Sequence, residues 1–114
     1  MEPPTVGQVV LIPFPYSDLS QSKLRPALVI ASPGRGDFIL CQITSNPYAD
    51  AWAVELTDED FQAGSLERTS YARPGKLFTG NVAIFRGLAG TLKPASLLRV
   101  ADRLVELIRA EHHE

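Results

Sequence analysis

The sequence RPALVIASPGRGDFILCQIT, from Arg25 to Thr44, decides the fold. Two apolar runs are separated by the segment 32–37, which holds two glycines and a proline. Apolar runs of this length that are bounded by Gly and Pro are typical of buried strands. The stretch therefore predicts two antiparallel strands, 25–31 and 38–44, that pair as a hairpin, and the continuous apolar run of the first predicts that it is buried on both faces.

Pro26 fixes the start of the first of these strands. Because proline has no N–H to donate to a sheet, it is tolerated at the start of a strand but not in its middle. Its ring also pushes Arg25 into an extended conformation, so this cation is held on stiff backbone next to a polar loop, 16–23. Arg25 lies ten residues before Arg35, the midpoint of the turn, and Thr44 lies nine residues after it. The hairpin therefore predicts that Arg25 and Thr44 lie at the same end.

The remaining segments predict a small domain that is mainly β. Apolar or alternating residues indicate further strands at 7–14, 52–56, 68–73, 75–79 and 82–92, with a turn at Pro74-Gly75 between two of them. A single helical turn is expected to begin at Thr57 or Asp58 and to end at Gly64.

The C-terminal segment predicts one long amphipathic helix over 93–113, with Pro94 in its first turn. Its predicted apolar stripe comprises Leu97, Ala101, Leu104, Val105 and Ile108. Several short strands and one helix indicate a small antiparallel barrel or curled sheet with the helix packed on it. At 114 residues, the chain is expected to be a single domain over 1–114.

The composition is that of a globular protein, with 45% hydrophobic and 21% charged residues. Cys41 is the one cysteine, so an intramolecular disulfide or a cysteine cluster for a metal is excluded, and its apolar neighbours predict a buried thiol. The sequence shows no secretory signal, and no apolar run approaches the roughly 20 residues of a membrane span. We therefore expect a cytoplasmic protein that does not bind a membrane.

The net charge of −2 conceals a segregation along the chain. Residues 49–60 carry five negative charges and no positive one, whereas residues 62–103 carry seven positive and two negative charges, a net charge of +5. The whole-chain charge therefore does not exclude a local positive surface that binds an anion. An ordinary mixed surface is the alternative, since separation along the chain is not separation in space.

Four segments together resemble the PemK/MazF-like toxins of type II toxin–antitoxin systems. They are VGQVVLIPFPYSDLSQSKLRPALVI (6–30), CQITS (41–45), SYARPGKLFT (70–79) and the C-terminal helix. The resemblance implies a CcdB/MazF-type barrel related to SH3-like folds, which is usually a symmetric homodimer. It also implies an endoribonuclease that cuts single-stranded RNA without a metal or other cofactor and is silenced by a cognate antitoxin.

The resemblance places a catalytic pair on Arg25 and Thr44. Metal-free RNA cleavage uses the neighbouring 2′-hydroxyl as the nucleophile and leaves a 2′,3′-cyclic phosphate and a 5′-hydroxyl. The planar fork of an arginine binds phosphate oxygens and stabilises their extra charge, and a threonine hydroxyl can donate to the same group. The alternatives are an arginine paired with a carboxylate such as Asp18, and a threonine whose hydroxyl caps the start of a loop.

Further residues are predicted to bind the RNA by stacking on bases or contacting phosphates. The predicted RNA-binding residues are Tyr16, Asp18, Ser20, Lys23, Ser45, Arg73 and Lys76. Phe14 and Tyr71 are weaker aromatic candidates, because aromatic side chains are often buried in cores.

The sequence does not decide which groups transfer protons in the reaction. The histidines, His112 and His113, lie at the terminus and are unsuited to a central role. Some members of the family use a second arginine with an aspartate two residues later; Arg73 matches that arginine, but Gly75 stands in place of the acid. Either Asp18, with a raised pKa, acts as the base, or catalysis depends mainly on alignment and electrostatics.

Two other functions also stay open. One is a non-catalytic inhibitor of a protein such as a topoisomerase, as in CcdB-like relatives, which would need apolar anchors where this chain has the polar sequence RAEHHE. The other is an inactive barrel that binds nucleic acid as a regulator, together with its antitoxin on operator DNA. The antitoxin is expected to lay a flexible, often acidic segment over the RNA groove. The acidic stretch 55–60 is expected on another face.

Overall fold

One antiparallel sheet of seven strands dominates the computed structural model, which describes residues 3–15 and 22–112. The strands are β1 (Gln8–Pro15), β2 (Ser22–Gly34), β3 (Asp37–Thr44), β4 (Val54–Leu56), β5 (Phe61–Gly64), β6 (Ser70–Asn81) and β7 (Gly87–Leu92). Short 3₁₀ turns lie at Asp58–Asp60 and Val82–Ile84, and helix α1 spans Pro94–Ala110. The strand order, β4-β6-β3-β2-β1-β7-β5, confirms the predicted curled antiparallel sheet with one C-terminal helix.

The β2–β3 hairpin is confirmed, and its turn is tighter than the sequence suggests. Gly34 pairs with Asp37, so Arg35 and Gly36 form a two-residue turn, with φ angles of 61° and 78°. Positive φ at both positions is the geometry that matches the twist of paired strands. Beyond the turn, the ladder of β2 and β3 has two irregularities, and at each of them β2 contributes one residue more than β3. As a result, Ala27 pairs with Gln42.

Pro74-Gly75 does not separate two strands, contrary to the prediction. β6 runs past it without a break beside β3. The pairs on either side of it are Cys41 with Leu77 and Gln42 with Arg73. Three residues, 74–76, are therefore extra and bulge out of the ladder, where a proline without an N–H can be accommodated.

The predicted helical turn is correct at its start and wrong at its end. Thr57 caps a 3₁₀ turn by accepting a hydrogen bond from the N–H of Glu59, and the Asp60 carboxylate accepts one from the N–H of Thr57. The turn ends at Asp60, and residues 61–64 form β5, which pairs with β7. Pairing with a strand distant in sequence thus overrides the local helical pattern.

The strand predicted over 82–92 is shorter than expected. The Asn81 side chain accepts a hydrogen bond from the N–H of Ala83 and so begins a 3₁₀ turn. The strand itself, β7, starts only at Gly87. The capping side chain of Asn81 therefore decides the local structure.

The sheet buries residues on both faces, as the continuous apolar run of β2 predicts. Because successive side chains of a strand point to opposite faces, neighbouring residues of β2 enter different clusters. Leu28 and Cys41 belong to the cluster that contains Val100 of α1, whereas Ala27 and Val29 pack in the other. The burial of Cys41 is confirmed, and desolvation raises the pKa of its thiol to about 12.

The predicted stripe is correct at Leu97, which packs against the core, and wrong at its C-terminal end. Val100 is fully buried, whereas Val105 and Ile108 of the predicted stripe are 44% and 53% exposed. Polar contacts join the helix to the neighbouring 3₁₀ turn and loop, since Ser96 donates to Asp60 and Arg103 donates to the carbonyl of Ala51. No helix within residues 3–15 and 22–112 is long and apolar enough to cross a membrane.

Gly64→Ala is expected to lower the free energy of unfolding by more than about 2 kcal/mol. Gly64 has a φ of 73°, and a Cβ there would overlap the backbone carbonyl oxygen of Ala89, so β5 and β7 would have to separate. Gly34→Ala is the control, because its φ of 107° brings strain of about 1 kcal/mol but no described atom lies within 4 Å of the added carbon. Equal losses in urea titrations of the two variants would contradict this packing.

Candidate active site

A pocket of about 270 Å³ lies where the β1–β2 ribbon extends past the end of β3. Its lining residues are Leu11, Lys23, Arg25, Pro26, Ile43, Thr44, Ser45, Leu66, Arg68 and Ser70. Three of them are cationic and three carry hydroxyls, and none of those within the described part of the chain is acidic. Such a lining favours an anionic ligand.

Arg25 and Thr44 lie together at this pocket. The register that pairs Ala27 with Gln42, continued by two residues, brings Arg25 opposite Thr44. Opposite residues share a face of the sheet, with Cβ atoms about 4.5–5.5 Å apart. Both residues are half-buried and both line the pocket. A guanidinium and a hydroxyl can therefore contact the same phosphate group there.

The Thr44 hydroxyl is oriented by the loop that follows it. Its Oγ1 accepts a hydrogen bond of 3.1 Å from the N–H of Asn46. This is the loop-capping role that the sequence left open as an alternative. A hydroxyl has one donor hydrogen besides its lone pairs, so this bond fixes the oxygen and still leaves the O–H to donate to a ligand.

The other predicted site residues fall into three groups. Lys23 and Ser45 line the pocket with the central pair. Arg73 and Lys76 do not line it. The predictions for Tyr16, Asp18 and Ser20, and for the side chain of Phe14, lie outside the described residues.

Arg68 is a pocket residue that the sequence prediction did not assign to the site. It precedes β6, whose pairing with β3 brings this end of the strand to the pocket. That pairing joins strands far apart in the sequence, so no local pattern indicates it. The positive charge of residues 62–103 was the signal available, and it did not single out Arg68.

Arg73 is held in an ion pair beside the pocket. Its Nε donates to Asp50 Oδ2 at 2.9 Å, and its Nη1 donates to Gln42 Oε1 at 3.2 Å. The hydrogen bond from Arg73 holds the pKa of Asp50 below its usual value, and the charge of Lys76 adds to this effect. Because Arg73 pairs with Gln42, it is a diagonal neighbour of Thr44 on the same face, at about 7–8 Å.

The acidic stretch 55–60 lies only partly against α1, since Asp58 and Glu59 also line a small pocket with Arg68, a residue of the Arg25 and Thr44 pocket. Glu55, Glu59 and Asp60 line a separate pocket with Arg99, and this pocket shares no lining residue with that of Arg25 and Thr44. Partial burial opposes ionisation of Asp60, but hydrogen bonds from Thr57, Ser96 and Arg99 outweigh it and lower its pKa. Asp60 is the acid of this stretch that pairs with a helix cation, since Arg99 Nη1 lies 3.1 Å from its Oδ1.

Asp50→Asn is expected to destabilise the protein at neutral pH by roughly 1–2 kcal/mol and to have no effect in strong acid. Because the pKa of Asp50 is lowered on folding, its contribution is complete above the usual 3.8 and is lost as the pH falls through the lower folded-state value. Urea titrations between pH 7 and pH 2 would measure the difference between variant and parent.

Glu106→Gln is the control for this titration, because Glu106 is 61% exposed in its pair with Arg103 and such surface pairs contribute little. A destabilisation by Asp50→Asn that persisted undiminished to pH 2 would contradict the ion-pair account.

Comparisons with known proteins bear on the family and the fold. A family model described as PemK-like, MazF-like toxin of type II toxin-antitoxin system matches residues 5–108. A search of curated proteins finds no significant match. The solved structures that resemble the chain include an endoribonuclease in complex with its cognate antitoxin from a Mycobacterial species, at 17% identity over 95% of both chains with a TM-score of 0.72.

Two further similar structures come from Deinococcus radiodurans. The chain is 21% identical to a chain of MazE-MazF (Form-II), covering 95% of this chain and 97% of the other, with a TM-score of 0.73. It is 22% identical to MazF (Form-I), covering 95% and 98%, with a TM-score of 0.71. At these identities the likeness bears on the fold, which these structures share with the chain.

Proposed function

The chain belongs to the PemK-like, MazF-like toxins of type II toxin–antitoxin systems, and from that premise we propose that it is a metal-independent endoribonuclease that cuts single-stranded RNA. The observation that carries the proposal is the convergence of Arg25 and Thr44 on one pocket, together with the further cations Lys23 and Arg68. The endoribonucleases among the similar structures support it.

The proposed reaction is a transfer of the phosphodiester within the RNA. The 2′-oxygen attacks the adjacent phosphorus, the bond from phosphorus to the 5′-oxygen breaks, and a cyclic phosphate remains. The 2′-hydroxyl loses a proton and the leaving 5′-oxygen gains one. Arg25 binds the non-bridging oxygens, where negative charge accumulates in the transition state, and the Thr44 O–H donates to one of them. Lys23 and Arg68 hold flanking phosphates.

Alignment and charge stabilisation supply most of the proposed catalysis. The pocket residues within the described ranges include no carboxylate and no imidazole, so none of them is suited to accept a proton at neutral pH. Asp50 is a weak base, because Arg73 lowers its pKa. Asp18, the candidate base named from the sequence, lies outside the described residues.

A cognate antitoxin and a second copy of the chain complete the proposal. The similar structures include one endoribonuclease with its antitoxin and one MazE-MazF pair, which supports an antitoxin partner for this chain. The cationic pocket suits an acidic, flexible segment that competes with RNA. We expect a cytoplasmic homodimer that, with its antitoxin, also binds operator DNA.

The alternatives fit the chain less well. A CcdB-like inhibitor would need apolar anchors at the C-terminus, where residues 109–112 are polar or small and exposed. A purely regulatory barrel would not require an arginine and a strand-end hydroxyl at one pocket. Neither alternative accounts for the pairing of Arg25 with Thr44.

Incubation of purified protein with an unstructured RNA in EDTA tests the proposal. The parent chain is expected to cut the RNA and to leave 2′,3′-cyclic phosphate and 5′-hydroxyl ends. Arg25→Ala is expected to lower the cleavage rate by at least about 10²-fold, since it removes the main charge on the transition state, whereas Thr44→Ser keeps the hydroxyl and most of the rate.

Arg109→Ala is the matched control, because Arg109 is an exposed arginine at the end of α1 and away from the pocket. It is expected to cut at the parental rate. RNA that stays intact with the parent chain, or cleavage that survives Arg25→Ala unchanged, would overturn the proposal in favour of the alternatives.

A further inference from the structure

Tyr48 is the most exposed large hydrophobic or aromatic side chain of the described residues, at 65%. It lies in the loop between β3 and β4, residues 45–53, four positions after Thr44. Tyr48 and Ala49 both have left-handed backbone, with φ angles of 53° and 59°. Such a conformation costs a non-glycine residue about 1 kcal/mol or more, and strained positions of this kind gather at functional sites.

One face of the Tyr48 ring rests on the Arg73 guanidinium. The central carbon of the guanidinium lies 5.4 Å from the centroid of the ring. Arg73 is itself held by Asp50 and Gln42, so the ring lies over a fixed cation. A cation below an aromatic ring adds attraction without covering the rest of the ring, which stays open to a ligand.

A chain of hydrogen bonds ties the backbone of Tyr48 to the Thr44 hydroxyl. The Asn46 N–H donates to Thr44 Oγ1, and the Tyr48 N–H donates to Asn46 Oδ1 at 2.9 Å. On the other side of the loop, the Asp50 carboxylate accepts from the Trp52 N–H and from Arg73. One end of the loop is therefore tied to Thr44 of β3, and the other is tied to Arg73 of β6, which in turn donates to Gln42 of β3.

From this placement we propose that Tyr48, backed by Arg73, is a stacking subsite for an unpaired RNA base next to the phosphodiester held by Arg25 and Thr44. The inference rests on the proposed function and names the residue that receives a base. Single-stranded RNA alternates phosphates with flat bases, and recognition of single strands combines a cationic groove with aromatic platforms. Here one exposed ring lies on the loop that begins directly after Thr44, next in sequence to the cations and hydroxyls of the pocket.

Arg73 is a positioning residue in this subsite. Its ion pair with Asp50 holds the guanidinium in place under the ring. Lys76, which is exposed on the bulge of β6, adds a positive charge close enough to act on Asp50. The predicted RNA-binding roles of Arg73 and Lys76 are thereby assigned to the base side of the site, apart from the pocket itself.

The test begins with the cut site, mapped by sequencing the ends of the products. An RNA of that sequence with a 2′-O-methyl group on the cut nucleotide cannot be cleaved, and its dissociation constant is measured by fluorescence anisotropy in EDTA. Tyr48→Asn removes the ring and keeps a residue that tolerates left-handed backbone. We expect it to weaken binding roughly 5- to 150-fold, the range of one lost base stack.

Three variants control for the loss of the tyrosine. Tyr48→Phe and Tyr48→Trp keep an aromatic face and are expected to bind within about threefold of the parent. Leu88→Asn changes a side chain of β7 that is 52% exposed and lies outside the pocket, so it is expected to bind like the parent. Failure of both aromatic variants to bind would overturn the stacking role.

An abasic nucleoside, moved one position at a time along the same RNA, identifies the stacked base. At one position next to the cut, it is expected to weaken binding to the parent and to add no further loss in Tyr48→Asn. The subsite would be overturned if the losses of affinity from the abasic nucleoside and from Tyr48→Asn multiplied at every position. It would also be overturned if Tyr48→Asn bound the intact RNA within twofold of the parent.

The outcomes separate this inference from the proposed function. A parent chain that neither binds nor cuts RNA overturns both. A parent chain that cuts RNA, with Tyr48→Asn unchanged toward RNA but weakened toward the antitoxin, overturns the subsite alone and assigns Tyr48 to a protein contact.

Discussion

The pairing of β2 with β3 holds together the two side chains on which the proposed chemistry depends. The two-residue turn alone would set a register in which Thr44 faces Ala27. Two extra residues in β2 shift that register by two places, so that Ala27 faces Gln42 and Arg25 comes opposite Thr44. A shift of one place would have put them on opposite faces, because side chains alternate along a strand.

The core enforces this register. Both faces of the β2–β3 pair are buried, so a slip by one residue would exchange the contents of two apolar clusters. The cost of such a slip falls on residues such as Leu28 and Val29, which are fully buried. The packing of the apolar middle of the hairpin thus sets the register, and the register fixes which side chains face each other at the polar end. The cations of the pocket, Lys23, Arg25 and Arg68, lie outside both apolar clusters, whereas Ile43 belongs to one of them and also lines the pocket.

Local patterns in the sequence predict the hairpin, the helix, the Thr57 cap and the burial of Cys41, because each depends on residues close together in the chain. They fail at Pro74-Gly75, where the residues that predict a turn form a bulge within β6, which pairs with β3 on both sides of the bulge. They also fail at residues 61–64, where pairing with β7 decides the structure. These contacts join distant parts of the chain, and propensity does not encode them.

The candidate site likewise contains residues that local sequence predicts and residues that only long-range pairing brings together. Arg25, Thr44, Lys23 and Ser45 are found from the hairpin and the family resemblance, and they meet at one pocket. Arg68 and the Arg73–Asp50 ion pair depend on β6 and on a loop 23 residues away in sequence. From the sequence, Asp50 is only one of five negative charges in residues 49–60, because its pairing with Arg73 depends on the fold.

The central claim is that Arg25 and Thr44 act on one phosphodiester, and a double-mutant cycle tests it most directly. Single-turnover cleavage rates in EDTA are compared for the parent, Arg25→Ala, Thr44→Ala and the double variant. If both side chains contact the same transition state, the cleavage rate of the double variant falls by a much smaller factor than the product of the factors for the two single variants. Losses that multiply fully would show two independent sites and contradict the account.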